Sequence, residues 1–317
     1  MGQIQNVEEE ARMTVELGTR ESRLQEVADG VFACVRPDGG WCLNNSGLIV
    51  SGGQSALVDT AATESRARSL RDAVLGVAGA PPRTVVNTHS HGDHTFGNFV
   101  FPEATVVAHE GARAEMAAIG LNLTTLWPEV TWGAVEVVLP HVTFADRLTL
   151  HVGDTVAELI HLGPAHTRGD TVVWLPEQRV LFTGDLLMSG VTPFCPMGSV
   201  AGSLSAFAAL RALGALTVVT GHGPVAGPEV IDAAAGYLTL IQRLAREGAA
   251  AGLSPLQAAR AADLGPYAEW IDAERLVPNL HRAYGEERGQ AVGDPAQMPL
   301  LFGEMAEFHG GLPACHA

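Results

Sequence analysis

Thr88-His89-Ser90-His91-Gly92-Asp93-His94-Thr95-Phe96-Gly97-Asn98 follows directly on the apolar run Thr84-Val85-Val86. Four of the six residues from His89 to His94 can bind a metal. With twelve histidines in 317 residues, a chance H-x-H-x-D-H has a frequency on the order of one in a thousand. The valine-rich run reads as a strand. Its period of two puts His89 and His91 on one face as the chain leaves it. A turn at Gly92 then redirects Asp93 and His94 toward a neighbouring position. One short segment thereby offers two ligands to each of two adjacent metals.

Two metals need more ligands, and turns elsewhere supply them. His166 lies in the Gly/Pro-rich loop Leu162-Gly163-Pro164-Ala165-His166-Thr167 after an apolar strand, Asp185 follows Leu181-Phe182-Thr183-Gly184, and His222 follows Thr217-Val218-Val219-Thr220-Gly221. Imidazole nitrogens with one or two carboxylates suit zinc best, while iron and manganese also accept such donors.

A repeat organises these residues. Thr84-Val85-Val86-Asn87-Thr88-His89 is echoed by Thr217-Val218-Val219-Thr220-Gly221-His222, and an apolar strand ending in Asp59 or Asp185 stands upstream of each copy. Each half thus reads strand, aspartate, helix, strand, histidine. Two similar β/α halves whose strand ends meet at a shared site are expected. Short β-branched runs and three helical patterns alternate over 24–227, the catalytic region of an α/β layered domain. Residues 1–23 are expected to be a flexible N-terminal segment. From 228 to 317 the pattern turns helical, with Ser254-Pro255 and Gln257 as a capping box. This C-terminal extension is expected to pack on the same domain, its tail from Gly289 being irregular.

Composition removes several classes of function. Hydrophobic residues make up 47% and charged residues 17% of the chain, which is the balance of a globular protein. The formal charge of -16 has the wrong sign for tracking phosphate backbone, so nucleic acid is excluded as the main partner. All nineteen basic residues are arginine, and without lysine there is no Schiff-base chemistry. No run approaches the ~18 apolar residues of a membrane span. The N-terminus lacks the features of a signal peptide, so a cytoplasmic location is expected. Cys34, Cys42, Cys195 and Cys315 show no CxxC spacing and read as reduced thiols. No serine stands in a G-x-S-x-G context.

The series His89-x-His91-x-Asp93-His94, His166, Asp185 in F-T-G-D and His222 in G-H-G resembles the ligand series of the metallo-β-lactamase-fold hydrolases. That resemblance implies an αββα sandwich with a dinuclear zinc site at one edge. It places His89, His91 and His166 on one zinc and Asp93, His94 and His222 on the other, with Asp185 bridging. Asp93 and Asp185 then carry the catalytic role. A narrower resemblance rests on Gly40-Trp41-Cys42-Leu43-Asn44-Asn45, the run from Thr88 through the histidine motif to Asn98-Phe99-Val100-Phe101, Gly163-Pro164-Ala165-His166-Thr167, Met188-Ser189-Gly190-Val191-Thr192-Pro193-Phe194, Gly198-Ser199-Val200-Ala201-Gly202 and Gly310-Gly311-Leu312-Pro313-Ala314-Cys315. These runs are similar to second-ring cyclases of bacterial aromatic polyketide pathways, of the actinorhodin type. That family implies aldol ring closure of a partly cyclised poly-β-ketone and hydrolytic release from an acyl carrier protein thioester. Two zinc ions bring the pKa of a shared water to near ~7, which serves both steps.

Around this core, Asp59 is expected to orient a ligand histidine, with Asn98 and Thr167 bracing the site. Trp41, Trp127, Phe194 and Met197 are candidates for an aromatic wall against a flat polycyclic substrate, or for ordinary core packing. Arg68 and Arg71, with Arg66 nearby, are weighed as a docking face for the acidic carrier protein or as cations paired with Glu64 and Asp72. The other histidines have no ligand context. The rival functions are a generic dizinc thioesterase, glyoxalase-II-like enzyme or lactonase, a β-lactamase, and a metal-dependent sensor without catalysis.

Overall fold

The computed structural model describes residues 22–317, so nearly all of the segment expected to be flexible lies outside the described residues. The described strands form two sheets. In the seven-stranded sheet, β1 (Leu24–Ala28), β2 (Val31–Cys34), β3 (Ser46–Ser51), β4 (Gln54–Val58), β5 (Thr84–Val86), β6 (Thr105–His109) and β7 (Val142–Phe144) follow one another in order. Pairing is antiparallel up to β4 and parallel from there on. The five-stranded sheet has the order β12-β11-β10-β9-β8. Its strands are β8 (Arg147–Val152), β9 (Thr155–His161), β10 (Thr171–Leu175), β11 (Val180–Phe182) and β12 (Thr217–Val219). Only β11 and β12 pair in parallel.

The alternation of side chains explains the layering. Ala56, Val58 and Val86 of the first sheet meet Val180, Phe182 and Val219 of the second in one buried interlayer cluster. Their neighbours Leu57 and Val85 point the other way, against the helix α1 (Glu64–Ala78). Leu181 and Val218 likewise point outward from the second sheet into a helical layer. Each fully buried aliphatic side chain of this kind contributes about 2 kcal/mol relative to exposure. The sheets approach closely where Gly47 of β3 lies under the Phe182 ring, with no room for a Cβ.

Both halves of the repeat take the expected form. In one, β4 leads to Asp59, α1 and the parallel strand β5, with Leu57 opposite Val85. α1 buries Ala67, Leu70 and Val74 on one face and ends at Gly79, whose left-handed φ of 70° allows its N–H to reach Leu75 O. In the other half, β11 leads to Asp185, to a later helix (Val200–Leu213) and to the parallel strand β12, with Leu181 opposite Val218. The short helix α2 (Gly92–Thr95) occupies the turn after the histidine motif, and α3 (Glu110–Ile119) and α4 (Leu123–Leu126) follow β6. The helix Val200–Leu213 is therefore α5.

The C-terminal extension comprises α6 (Glu229–Ala250), α7 (Pro255–Ala261), α8 (Leu276–Glu287) and α9 (Met298–His309). The Ser254–Gln257 capping box is formed. Residues of α5 to α8 bury an apolar cluster on the outer face of the second sheet. Glu286 of α8 accepts from Ser199 Oγ at 2.8 Å and Val200 N at 2.7 Å, which caps α5. The tail is more ordered than its sequence implies. Pro299 and Gly303 interrupt its helical pattern, yet Met305, Phe302 and Met298 pack on Trp41 and Trp127 and hold the segment helical. No helix among the described residues is long and apolar enough to cross a membrane.

Candidate metal centre

His89 and His91 lie beyond the end of β5 at Val86, so loop geometry rather than strand alternation brings them together, with ring centroids 4.8 Å apart. His91 is the N-cap residue of α2, whose first turn carries Asp93 and His94 inward. The second sheet contributes His166 from the loop between β9 and β10, Asp185 after β11 and His222 after β12. Two groups result, His89, His91, His166 and Asp185 in one, Asp93, His94 and His222 in the other, with donor atoms of each group within 4.8 Å of one another.

Asp185 stands between the groups. Its Oδ2 lies 3.8 Å from His89 Nε2 and 3.5 Å from His166 Nε2. On the other side Oδ1 is 3.1 Å from His94 Nε2, and Oδ2 is 3.4 Å from His222 Nε2. Asp93 Oδ2 approaches His222 Nε2 at 3.3 Å. Gly221 leaves room for this carboxylate, since a Cβ there would collide with Asp185 Oδ1.

The outer nitrogen of four of these five histidine rings is held from behind. His94 Nδ1 meets Asp59 Oδ2 at 2.8 Å, His89 Nδ1 meets Thr88 Oγ1 at 3.0 Å, and His222 Nδ1 meets Gly39 O at 3.1 Å. His166 Nδ1 bonds Phe194 O. Such acceptors fix the tautomer that points an unprotonated Nε2 inward. His91 differs, presenting Nδ1 at 2.9 Å from His166 Nε2.

These residues fit divalent cations. His89 Nε2, His94 Nε2 and Asp185 Oδ1 are buried and make no hydrogen bond, although His94 Nε2 and Asp185 Oδ1 are only 3.1 Å apart. Orphaned buried polar atoms cost about 1–3 kcal/mol each, and a cation in each group would satisfy them. Protonation follows charge and burial. Burial pushes His89 well down and His166 down to about 3. Burial opposes the charge on His222 too, but Asp185 and Asp93 beside it hold its pKa at about 9.

Among the supporting residues, Asp59 also accepts from Thr88 N and Thr88 Oγ1, both at 2.7 Å, so one carboxylate ties His94 to the His89 loop. Asn98 exchanges amide hydrogen bonds with Asn87, whose Nδ2 donates to His94 O at 3.3 Å. Thr167 donates to Asp170 Oδ1 at 2.6 Å and closes the His166 loop. Neither Asn98 nor Thr167 touches a ligand ring in these bonds.

A cavity of about 610 Å³ opens on Asp93, Asp185 and His222. Trp41, Phe194 and Met197 line it; Trp127 stands behind Trp41, ring centroids 5.7 Å apart, with its Nε1 donating to Pro313 O. The sequence reading missed three contributors. Phe302 comes from the tail helix. Arg275 stacks 4.1 Å over the Trp41 ring and pairs with Asp272 at 2.8 Å. Glu115 accepts from Ser90 Oγ at 2.8 Å, and burial pushes its carboxyl up. Its position beside the buried Ala112 and Met116 on α3 was the readable signal. On α1, Arg68 pairs with Glu64 at 2.8 Å, and Arg71 pairs with Glu103 rather than Asp72, at 2.7 Å.

Comparison with known proteins adds the lineage. The 2,4-dinitroanisole O-demethylase subunit alpha of a Nocardioides species is 30% identical over 60% of this chain and 51% of its own length. The Bos taurus acyl-coenzyme A thioesterase MBLAC2 is 32% identical over 38% of this chain and 47% of its own. The chain thus spans about half the length of these relatives. A hydroxyacylglutathione hydrolase of Anaeromyxobacter dehalogenans is 30% identical over 74% of this chain and 80% of its own. The sec-alkylsulfatase Pisa1 from Pseudomonas shares the fold, with a TM-score of 0.67 at 18% identity over 92% of this chain and 55% of that one. Residues 39–222, which span the whole ligand series, match the Metallo-beta-lactamase superfamily, and the chain belongs to it.

Proposed function

We propose that this protein is a dinuclear-metal cyclase and thioesterase acting on a partly cyclised aromatic poly-β-ketone presented as an acyl carrier protein thioester. The observation that carries this reading is the cavity of about 610 Å³, apolar and aromatic in its walls, that opens on Asp93 and Asp185. Its size suits a drug-sized or larger ligand. Two relatives are named as an acyl-coenzyme A thioesterase and a hydroxyacylglutathione hydrolase, which supports the thioester-hydrolysis part of this reading.

His89, His91 and His166 would hold one cation, Asp93, His94 and His222 the other, and Asp185 both. Bound there, a pair of zinc ions supplies positive charge that acidifies water and polarises a carbonyl. The chain's own residues do the rest. Trp41 and Phe194 meet edge to face at 5.2 Å and give a flat ring system an apolar wall that excludes water. Asp93 faces the cavity and stays a carboxylate, because His94 and His222 outweigh its burial and hold its pKa at about 2, so it can orient an attacking water by accepting its hydrogen bond. The Ser90–Glu115 pair offers a hydroxyl-binding point on the same wall.

A plain thioesterase is the second reading, favoured by the thioesterase and hydroxyacylglutathione hydrolase relatives. Incubating zinc-loaded protein with a partly cyclised polyketide thioester mimic separates the two by mass spectrometry. Ring closure with loss of water plus free thiol is expected. Thiol release without dehydration would leave the plain thioesterase, and neither product would overturn both readings.

A further inference from the structure

All four cysteines are free, but two of them are not isolated. Cys42 is 3% exposed and lines the cavity next to Trp41. Cys315 is half-buried on the C-terminal strap after α9, and its thiol meets that of Cys42. The strap has no regular structure of its own. Two bonds tie it down around the thiols, Trp127 Nε1 donating to Pro313 O at 2.7 Å and His316 N donating to Trp41 O at 3.1 Å. The second bond joins the residues adjacent to the two cysteines, which brings the strap alongside the 41–42 segment.

We propose that Cys42 and Cys315 are a reactive dithiol, closed to a disulfide by low-molecular-weight disulfides, which staples the C-terminal strap to the cavity wall. The two thiols differ in the way a directed exchange requires. Cys315 is the reachable one, and the Cys42 thiol and the Ala317 backbone N–H hold its pKa below the usual thiol value. Cys42 is buried and its pKa is pushed well up, so it enters second. The Cys315 thiolate attacks one sulfur of RSSR, forming a mixed disulfide and releasing RS⁻. Cys42 then gives up its proton and attacks Cys315 Sγ, expelling a second RS⁻. The two thiol protons end on the two released thiolates. The protein loses two hydrogens and two electrons, and RSSR becomes two RSH.

The link joins positions at opposite ends of the folded chain, and its Cys42 end lies in the cavity wall beside Trp41, whose ring packs on Phe302 of α9. Metal-loaded protein incubated with oxidised glutathione tests this by intact mass and non-reducing peptide mapping. Expected are a mass lower by two hydrogens, a single Cys42–Cys315 link and a Tm raised by about 5 °C, all reversed by dithiothreitol. Cys42→Ser should stop at one glutathione on Cys315, and Cys315→Ser should take up none at Cys42. A wild-type protein that remains a dithiol, keeps a stable glutathione on Cys315, or links either cysteine to Cys34 or Cys195 overturns the proposal.

Discussion

Asp59 Oδ2 sits 2.8 Å from His94 Nδ1, on the side of the ring away from the Nε2 atom that approaches Asp185. The same carboxylate takes two bonds from Thr88, so the aim of His94 and the path of the His89 loop depend on one side chain. Asp59→Asn brings an amide N–H against donors. We expect the metal shared by Asp93, His94 and His222 to bind about 10–100-fold more weakly, read by chelator competition. Unchanged affinity would remove Asp59 from the positioning of His94.

The proton on His222 gives a second test. Its pKa in the metal-free fold is about 9, against 6.5 when unperturbed. That group stabilises the metal-free protein below pH 6.5, and the contribution disappears as pH rises through about 9. A cation must displace this proton. Calorimetric metal titration at pH 7.5 in buffers of different ionisation enthalpy should show release of about one to two protons per chain. Heats independent of the buffer would contradict it.

Phe302→Ala removes one aromatic wall of the cavity without touching a ligand. For an aromatic thioester, KM should rise about 10-fold with kcat nearly constant, because binding common to ground and transition states is lost. A small acetyl thioester should not respond. Equal effects on the two would place Phe302 outside substrate binding.

Glu286→Ala deletes the acceptor for Ser199 Oγ and Val200 N at the start of α5. Loss of such a cap costs about 1–2 kcal/mol. Urea unfolding should register that shift in midpoint. A smaller effect would show that α8 does not cap α5 in solution.

The clustering of the seven His and Asp side chains was legible because each stands within a few residues of a strand end or tight turn, where spacing and residue type are local properties. The β/α halves were legible for the same reason, as Leu57 opposite Val85 and Leu181 opposite Val218 repeat one pattern. Trp41 was different. Its partners Phe194, Phe302 and Glu274 lie more than 150 residues away and obey no local period. Neither the placement of Trp127 behind Trp41 nor the meeting of Cys42 with Cys315 could be read from spacing. The tail helix was obscured by Pro299 and Gly303, whose local preferences are overridden by packing against Trp41 and Trp127.

The seam beside Gly47 and Phe182 has a consequence for the metals. His89, His91, Asp93 and His94 follow a strand of one sheet, whereas His166, Asp185 and His222 follow strands of the other. The sheets therefore act as the jaws of a calliper, and the ring wedged over Gly47 sets the gap at which they close. A residue that never approaches a cation can then change the grip on it. By reciprocity, an ion held across the jaws presses the apolar faces together, so occupancy at the rim is felt as cohesion in the interior.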